Sequence, residues 1–227
     1  MSGEDLTAEL PGGGVCFTDR SDGNMSSVGG AGHEHGAANR ERLRDRLGLT
    51  RLARGYQVHG TDVRIVSEMP ASEAETGELL HADGQATSLP GLGAFVLAAD
   101  CLAVALATED AVAMVHAGWK GLAGGALENA VLAVRELSPR GDILAAIGPA
   151  AGPCCYEVGP EVHEALGTGV AAEAKVDLRL IARARLHSAG VVTVRGLGGC
   201  TICDERYFSH RREGDRAGRQ AGVVWLS

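Results

Sequence analysis

The chain has 227 residues, enough to bury a substantial core in one large domain or two small ones. Hydrophobic residues make up 45% and aromatics only 4%, so that core is expected to be built from Ala, Val and Leu. A formal net charge of −8 argues against nucleic acid or an anionic membrane surface as the main partner, and an anionic substrate would need a local basic pocket.

Residues 1–13 are polar and Gly-rich and read as a flexible terminus. Met1–Leu10 is acidic and lacks a basic start followed by an apolar run, so no secretory leader is expected. No stretch of about 18 uninterrupted apolar residues occurs, and a cytoplasmic location is the expectation. In that compartment the six Cys are expected as reduced thiols, available to metals or as nucleophiles.

Val15–Thr18 is a short strand. Asp19–Gly36 has no periodicity and reads as a disordered loop, whose His33 and His35 fit exposure better than metal ligation. Ala37–Leu47 is a charged amphipathic helix, with Leu43 and Leu47 one turn apart and Gly48 as its stop. Leu52–Val58 and Asp62–Val66 are strands, with His59-Gly60 at the end of the first. Ser67–His81 is an acidic connection, Asp83–Thr87 begins the next element, and Pro90-Gly91 is a turn.

Ala94–Ala107 and Ala111–Val115 are apolar runs too short and interrupted to span a membrane, and they read as buried strands. Polar residues appear where these runs break or end: Asp100-Cys101 in the first, His116 after the second. The Gly-rich stretch 116–125 precedes a helix over Ala126–Leu137, and Ile143–Ile147 is a further buried strand. A Gly/Pro-dense loop, 148–160, carries Cys154 and Cys155, and Pro160 starts a short helix to Leu166. Leu178–Ala189 is a helix and Val191–Val194 a strand. Cys200–Cys203 lies in a loop, and Tyr207–Arg212 and Val223–Leu226 are terminal strands around a charged turn. Irregular alternation with very short connections predicts an α+β class with mixed sheets in one domain, residues 14–227.

His59, Cys101 and His116 share one context, an apolar strand ending in a ligand-type side chain. Two imidazoles and a thiolate suit Zn²⁺ and are also acceptable to copper. Three protein ligands leave a fourth position for water or substrate, as in catalytic zinc sites. The competing reading makes Cys101 a nucleophile and His116 its base, with Asp100 orienting, for amide or acyl chemistry that needs no metal. Asp100 is otherwise a proton carrier or the partner of a ligand histidine.

Cys200 and Cys203 have CxxC spacing but no obvious second pair, and read as surface loop thiols. Neighbours in an extended segment point opposite ways, so only one of Cys154 and Cys155 is expected to face a site, Cys155 being the candidate. Arg211 and Lys120 are the candidate anion-binding cations: a guanidinium fork suits phosphate, and Lys120 precedes a helix start.

QVHGTDV (57–63), ADGQAT (82–87), AADCLAVAL (98–106), VHAGWKGLAGG (115–125), IGPAAGPCCYEVG (147–159) and CTICDERYFSHRREGDRAGRQAGVVWL (200–226) resemble successive blocks of the laccase-domain family. That family is also labelled multicopper polyphenol oxidase and peptidoglycan editing factor, and its members are read as purine nucleoside phosphorylases. The resemblance implies an α/β sandwich with a metal held at His59, Cys101 and His116. It implies phosphorolysis of adenosine, inosine, guanosine and methylthioadenosine to free base and the (methylthio)ribose 1-phosphate, together with deamination of adenosine. The partners expected are purine nucleosides and phosphate, in a monomer or weak dimer. The alternatives are a copper-dependent polyphenol oxidase (laccase) and a Cys–His hydrolase editing peptidoglycan precursors. Two departures from the family pattern stand out: a shortened 19–36 block, and Ala103 where the family has Pro after the ADC block.

Overall fold

The structure is a computed structural model that describes residues 6–70 and 79–227. Its strands in chain order are β1 (Thr7–Leu10), β2 (Gly13–Phe17), β3 (Arg51–Ala53), β4 (Val63–Ile65), β5 (Gly84–Thr87), β6 (Leu92–Ala98), β7 (Leu102–Ala107), β8 (Val112–Ala117), β9 (Ile143–Ile147), β10 (Glu157–Val158), β11 (Ala174–Lys175), β12 (Val191–Gly196) and β13 (Gln220–Leu226). The helices are α1 (Gly36–Arg46), α2 (Trp119–Gly124), α3 (Ala126–Leu137), α4 (Pro160–Leu166), α5 (Leu178–Ser188) and α6 (His210–Glu213).

Two mixed sheets form, ordered β1-β2-β13-β6-β3 and β12-β9-β7-β8-β5-β4, with β10 and β11 as a separate antiparallel pair. Side-chain alternation at period two assigns each strand's residues to layers. In β7, Leu102, Val104 and Leu106 pack in one cluster with Leu127, Val131 and Val134 of α3 and with Ala182 and Leu186 of α5. Ala103, Ala105 and Ala107 point the other way, against Ala94, Val96 and Ala98 of β6, Val15 and Phe17 of β2, and Val224 of β13. The outer face of the five-stranded sheet, Cys16, Leu52, Phe95, Ala221 and Val223, is covered by Leu43 of α1 and by Met25 and Leu49. The result is the expected α/β sandwich, with a middle layer of mostly small side chains. Each fully buried Leu or Val in these layers contributes roughly 1.5–3 kcal/mol.

The polar break in the Ala94–Ala107 run is the point where the chain leaves one sheet for the other. Strand β6 belongs to the five-stranded sheet and β7 to the six-stranded one, and Asp100 between them has φ +83°. That left-handed conformation is unfavourable for a residue with a Cβ, though Asp tolerates it better than most.

Several expectations are corrected. Within the predicted flexible terminus, Thr7–Leu10 pairs antiparallel with β2, while residues 1–5 lie outside those described. The 19–36 segment is ordered. Asp19 caps a short 3₁₀ turn, and buried Arg40 of α1 donates to Met25 O at 2.7 Å and Ser27 Oγ at 3.0 Å. The buried face of α1 thus carries Asn39 and Arg40 beside Leu43, and is more polar than an amphipathic reading expects.

The predicted strand over Leu52–Val58 stops at Ala53, because the Gln57 side chain replaces the ladder. Its Nε2 donates to Leu97 O at 2.8 Å and its Oε1 accepts from Leu97 N at 2.7 Å. Gln220 does the same for Phe208, bonding that residue's N–H at 2.9 Å and carbonyl at 3.1 Å. The expected strand over Tyr207–Arg212 is therefore a turn followed by α6, which the Ser209 hydroxyl caps by accepting from Arg212 N. Part of the acidic Ser67–His81 connection, 71–78, lies outside the described residues. The Gly-rich stretch after His116 contains α2, which sequence periodicity missed because two of the six residues of WKGLAG are glycine. Among the described residues no helix is long and apolar enough to cross a membrane.

Candidate metal centre

The site is assembled at one end of the sandwich. Register pairs Ala103 of β7 with His116 of β8, and Val115 of β8 with Gly84 of β5. Cys101 immediately precedes β7, His116 is the last residue but one of β8, and Asp83 immediately precedes β5, so three strand ends meet. His59 arrives on the loop before β4 in a left-handed conformation, φ +59°.

One donor atom each from His59, Cys101 and His116 lies within 4.8 Å of the other two. The two imidazoles meet edge-on, centroids 4.9 Å apart at 79°. His116 is buried, Cys101 partly so, and His59 is exposed, so the cluster opens to the surface on the His59 side. Gly118 lets the backbone pass close by: a Cβ there would stand 3.0 Å from both Cys101 Sγ and His59 Cδ2. These are the three residues that the sequence offered as metal ligands, and the fold brings them together. Their donor set, a soft thiolate with two imidazoles, fits a divalent ion of the zinc or copper type.

Asp83 organises the cluster, and sequence reasoning did not single it out. Its buried carboxylate accepts from His116 Nδ1 at 2.8 Å. It also accepts the backbone N–H groups of Val58 at 3.0 Å, His59 at 3.0 Å and Gly60 at 2.7 Å. One carboxylate therefore fixes the ring of one histidine and the backbone of the other. Burial works to raise its pKa, but the His116 bond and then the backbone donors outweigh that and bring it down to about 2. The available signal was an acid directly before a buried strand, in ADGQAT.

Electrostatics in the cluster favour ionised forms. Burial pushes the Cys101 thiol up, but the charge and hydrogen bond of His116, then those of His59, bring it down to about 6. Burial likewise lowers His116, and the Cys101 thiolate with Asp83 overrides it, raising the imidazole to about 9. Without an ion, the pair is a thiolate facing an imidazolium.

Asp100 is next to Cys101 in sequence, yet its carboxylate turns to a different task. It accepts from Thr201 Oγ1 at 2.6 Å, Ser209 Oγ at 3.1 Å and the Arg211 backbone N–H at 2.6 Å. The carboxylate partnering a ligand histidine is thus Asp83, and Asp100 anchors the 200–212 loop. Arg211 sits in α6, its guanidinium 5.2 Å from the Tyr156 ring centroid and bonded to Glu157 O at 3.1 Å. Burial, more than the nearby Cys101 charge, raises the pKa of Tyr156, and Arg211 acts against that rise. Lys120, in α2, has its ammonium 5.6 Å from the Trp119 ring.

Cys155, expected near substrate, lies in a group of four cysteines. It pairs with Cys203 as a disulfide, in a cluster that also holds Cys154 and Cys200. The alternation argument fails because the chain turns there: Cys155 and Tyr156 N–H both bond Gly152 O. In this structure, therefore, Cys155 and Cys203 are not free thiols. His33 and His35 lie exposed in a 3₁₀ turn, as expected.

Residues 11–227 match the family described as multi-copper polyphenol oxidoreductase laccase. The chain belongs to that family. Among its relatives, a protein of Xylella fastidiosa (strain Temecula1) named purine nucleoside phosphorylase is 42% identical, over 95% of this chain and 88% of its own length. Purine nucleoside phosphorylase YfiH of Escherichia coli (strain K12) is 35% identical over 94% of this chain and 90% of its own length. The crystal structure of Neisseria meningitidis protein NMB0706 superposes with a TM-score of 0.81 at 32% identity, covering 98% of both chains. YlmD from Geobacillus stearothermophilus also gives 0.81, at 27% identity, covering 94% of this chain and 90% of that one. The laccase-like fold is therefore shared along almost the whole chain.

Proposed function

We propose that this laccase-family chain is a metal-dependent purine nucleoside phosphorylase that also deaminates adenosine, with His59, Cys101 and His116 as its metal ligands. The observation that carries the reading is the convergence of those donors within 4.8 Å of one another, with the Asp83 carboxylate holding the His116 ring and the His59 backbone. Extensive similarity to proteins named purine nucleoside phosphorylase supports the substrate class. Zinc fits the ligand set, and copper is the second choice. A divalent ion held there supplies Lewis acidity beside the reacting nucleoside.

In phosphorolysis, phosphate adds to C1′ of the ribose as the N-glycosidic bond breaks, giving free base and ribose 1-phosphate. Positive charge grows on the sugar, and the leaving purine must take up a proton. Arg211, braced over Tyr156, offers the planar fork that phosphate oxygens prefer, and Lys120 adds a second positive charge. On this reading the two cations supply the positive charge that an anionic substrate needs against a net charge of −8. Asp83 holds His116 Nδ1, which leaves Nε2 for the ion. Deamination exchanges the C6 amino group of adenosine for water, releasing ammonia and inosine.

The test is incubation of purified protein with adenosine and phosphate, followed by chromatography for adenine, hypoxanthine and ribose 1-phosphate. Cys101→Ala should abolish both activities and lower bound metal; full activity in that variant overturns the assignment. The thiolate–imidazolium pair also suits a metal-free Cys–His hydrolase acting on peptidoglycan precursors. Full activity on such amides after chelation would favour that reading. Oxygen uptake with a phenol, by copper-loaded protein alone, would favour the oxidase.

A further inference from the structure

We propose that Cys154, Cys155, Cys200 and Cys203 form a second metal centre, a closed tetrathiolate site for a zinc-class ion that clamps the 148–160 loop to the 197–212 loop. It does not depend on the reaction assigned above. Their four sulfurs all lie within 4.8 Å of one another, and Cys154 Sγ and Cys203 Sγ are 3.2 Å apart. A tetrahedral zinc site with Zn–S near 2.3 Å requires sulfurs about 3.8 Å apart, so only small adjustments separate this cluster from that geometry. The ligand spacing is an adjacent pair, 154 and 155, followed by a CxxC, 200 and 203. Four thiolates leave no open position, the mark of a structural rather than a catalytic site.

The surroundings are built for thiolates. Cys200 Sγ receives the Gly152 N–H at 3.2 Å, and the backbone N–H groups of Ile202 and Cys203 also turn toward it. Successive N–H groups directed at the first sulfur of a CxxC turn stabilise a metal-bound thiolate, because such a sulfur keeps its negative charge. Gly152 admits the sulfurs: a Cβ there would meet Cys200 Sγ at 3.3 Å and Cys154 Sγ at 3.4 Å. Lys175 donates to Cys154 O at 2.7 Å, and Arg179 bonds Ala150 O at 3.1 Å and also Gly199 O. These cations flank a centre that carries net negative charge when four thiolates bind one divalent ion.

A disulfide between Cys155 and Cys203 uses two of the four donors and excludes the ion. Their Cα atoms stand 7.0 Å apart, beyond the usual range of about 4.4–6.8 Å. From the disulfide, a dithiol reductant delivers two electrons and two protons to give two thiols and an oxidised dithiol. Metal binding then releases the thiol protons. A reducing compartment therefore favours the metal form.

The centre would also set the catalytic loop. Thr201 and Ser209 bind Asp100, and Arg212 ties Thr201 O at 2.7 Å and Ile202 O at 3.0 Å to the segment that presents Arg211.

The test is zinc content by mass spectrometry of protein purified with a reductant. Wild type should carry one equivalent more than the Cys154→Ser, Cys200→Ser double variant, and one more than Cys101→Ser. Cobalt-loaded Cys101→Ser protein should show the intense sulfur-to-cobalt charge-transfer bands and visible spectrum of a tetrathiolate site, a readout that needs no change in the cluster. Equal zinc in wild type and the double variant, absent cobalt–thiolate bands, or a Cys155–Cys203 disulfide persisting under reductant with zinc present overturns the proposal.

Discussion

The carboxylate of Asp83 lies 2.8 Å from His116 Nδ1 while accepting three backbone N–H groups from residues 58–60. The two ligand histidines, far apart in sequence, are thus aligned by one buried acid. Replacing Asp83 by Asn keeps the size but places an amide N–H against backbone donors. Each buried donor left unpaired costs about 1–3 kcal/mol. Asp83→Asn is expected to lower stability by roughly 3 kcal/mol in a denaturant titration and weaken metal binding by about 10- to 100-fold in a competitive chelator assay. An unchanged metal affinity would mean that Asp83 does not orient the ligands.

Removing the metal should expose the titration of the Cys101–His116 pair. The thiol is held down at about 6, so the stability its thiolate contributes is complete above the ordinary value of 9.0 and is lost as pH falls through about 6. The imidazole is held up at about 9, so its contribution is complete below 6.5 and is lost as pH rises through about 9. The metal-free pair is therefore ionised between those limits. Ultraviolet absorbance of the thiolate, wild type minus Cys101→Ser, should titrate near pH 6. A midpoint near 9 would mean that His116 does not stabilise the thiolate. Asp83, depressed to about 2, keeps its contribution above 3.8 and loses it as pH falls toward 2, so acid unfolding should be shallower in Asp83→Asn.

The convergence of His59, Cys101 and His116 was legible because Cys101 and His116 interrupt or end apolar runs, and residues that do so at strand ends are placed by the sheet itself. The mixed sheets were legible in the short connections between apolar runs, and the sandwich followed from the family resemblance. Less visible were features that depend on partners distant in sequence. Asp83 looks like an ordinary polar residue until β5 lies beside β8. Gln57 and Gln220 end predicted strands by supplying side-chain amides in place of ladder bonds, and periodicity carries no trace of that. Cys154 and Cys155 share a cluster only because a turn at Gly152 defeats the alternation of extended chain.

Gly118 tests the steric fit of the metal centre apart from its charges. Its φ of −67° is ordinary for any residue, so Ala there carries no backbone strain. The added Cβ would nevertheless sit 3.0 Å from Cys101 Sγ and His59 Cδ2 and push the donors apart. Gly118→Ala should fold with a near-normal melting temperature and bind metal roughly 10-fold more weakly, an effect comparable to losing a supporting hydrogen bond. Isothermal titration of metal-free protein would measure it, and wild-type affinity would show that the donors have room to move.

Asp100 separates backbone strain from loop anchoring. Its φ of +83° is a conformation that Asn tolerates and Ala does not, the penalty for Ala being about 1–2 kcal/mol. Its carboxylate also holds Thr201, Ser209 and the Arg211 N–H. Asp100→Asn loses the charge but keeps one acceptor oxygen and the backbone shape, so a cost of about 1–2 kcal/mol is expected. Asp100→Ala adds the conformational penalty and removes every bond, for about 3 kcal/mol or more. Both release the loop that carries Arg211, so the KM for phosphate should rise in both, and further in Asp100→Ala. Metal held by His59, Cys101 and His116 should stay at the wild-type level, because neither change alters those side chains or Asp83. If KM were unchanged while kcat collapsed, Asp100 would have to act on the reacting atoms themselves, as a proton carrier, instead of through the position of Arg211.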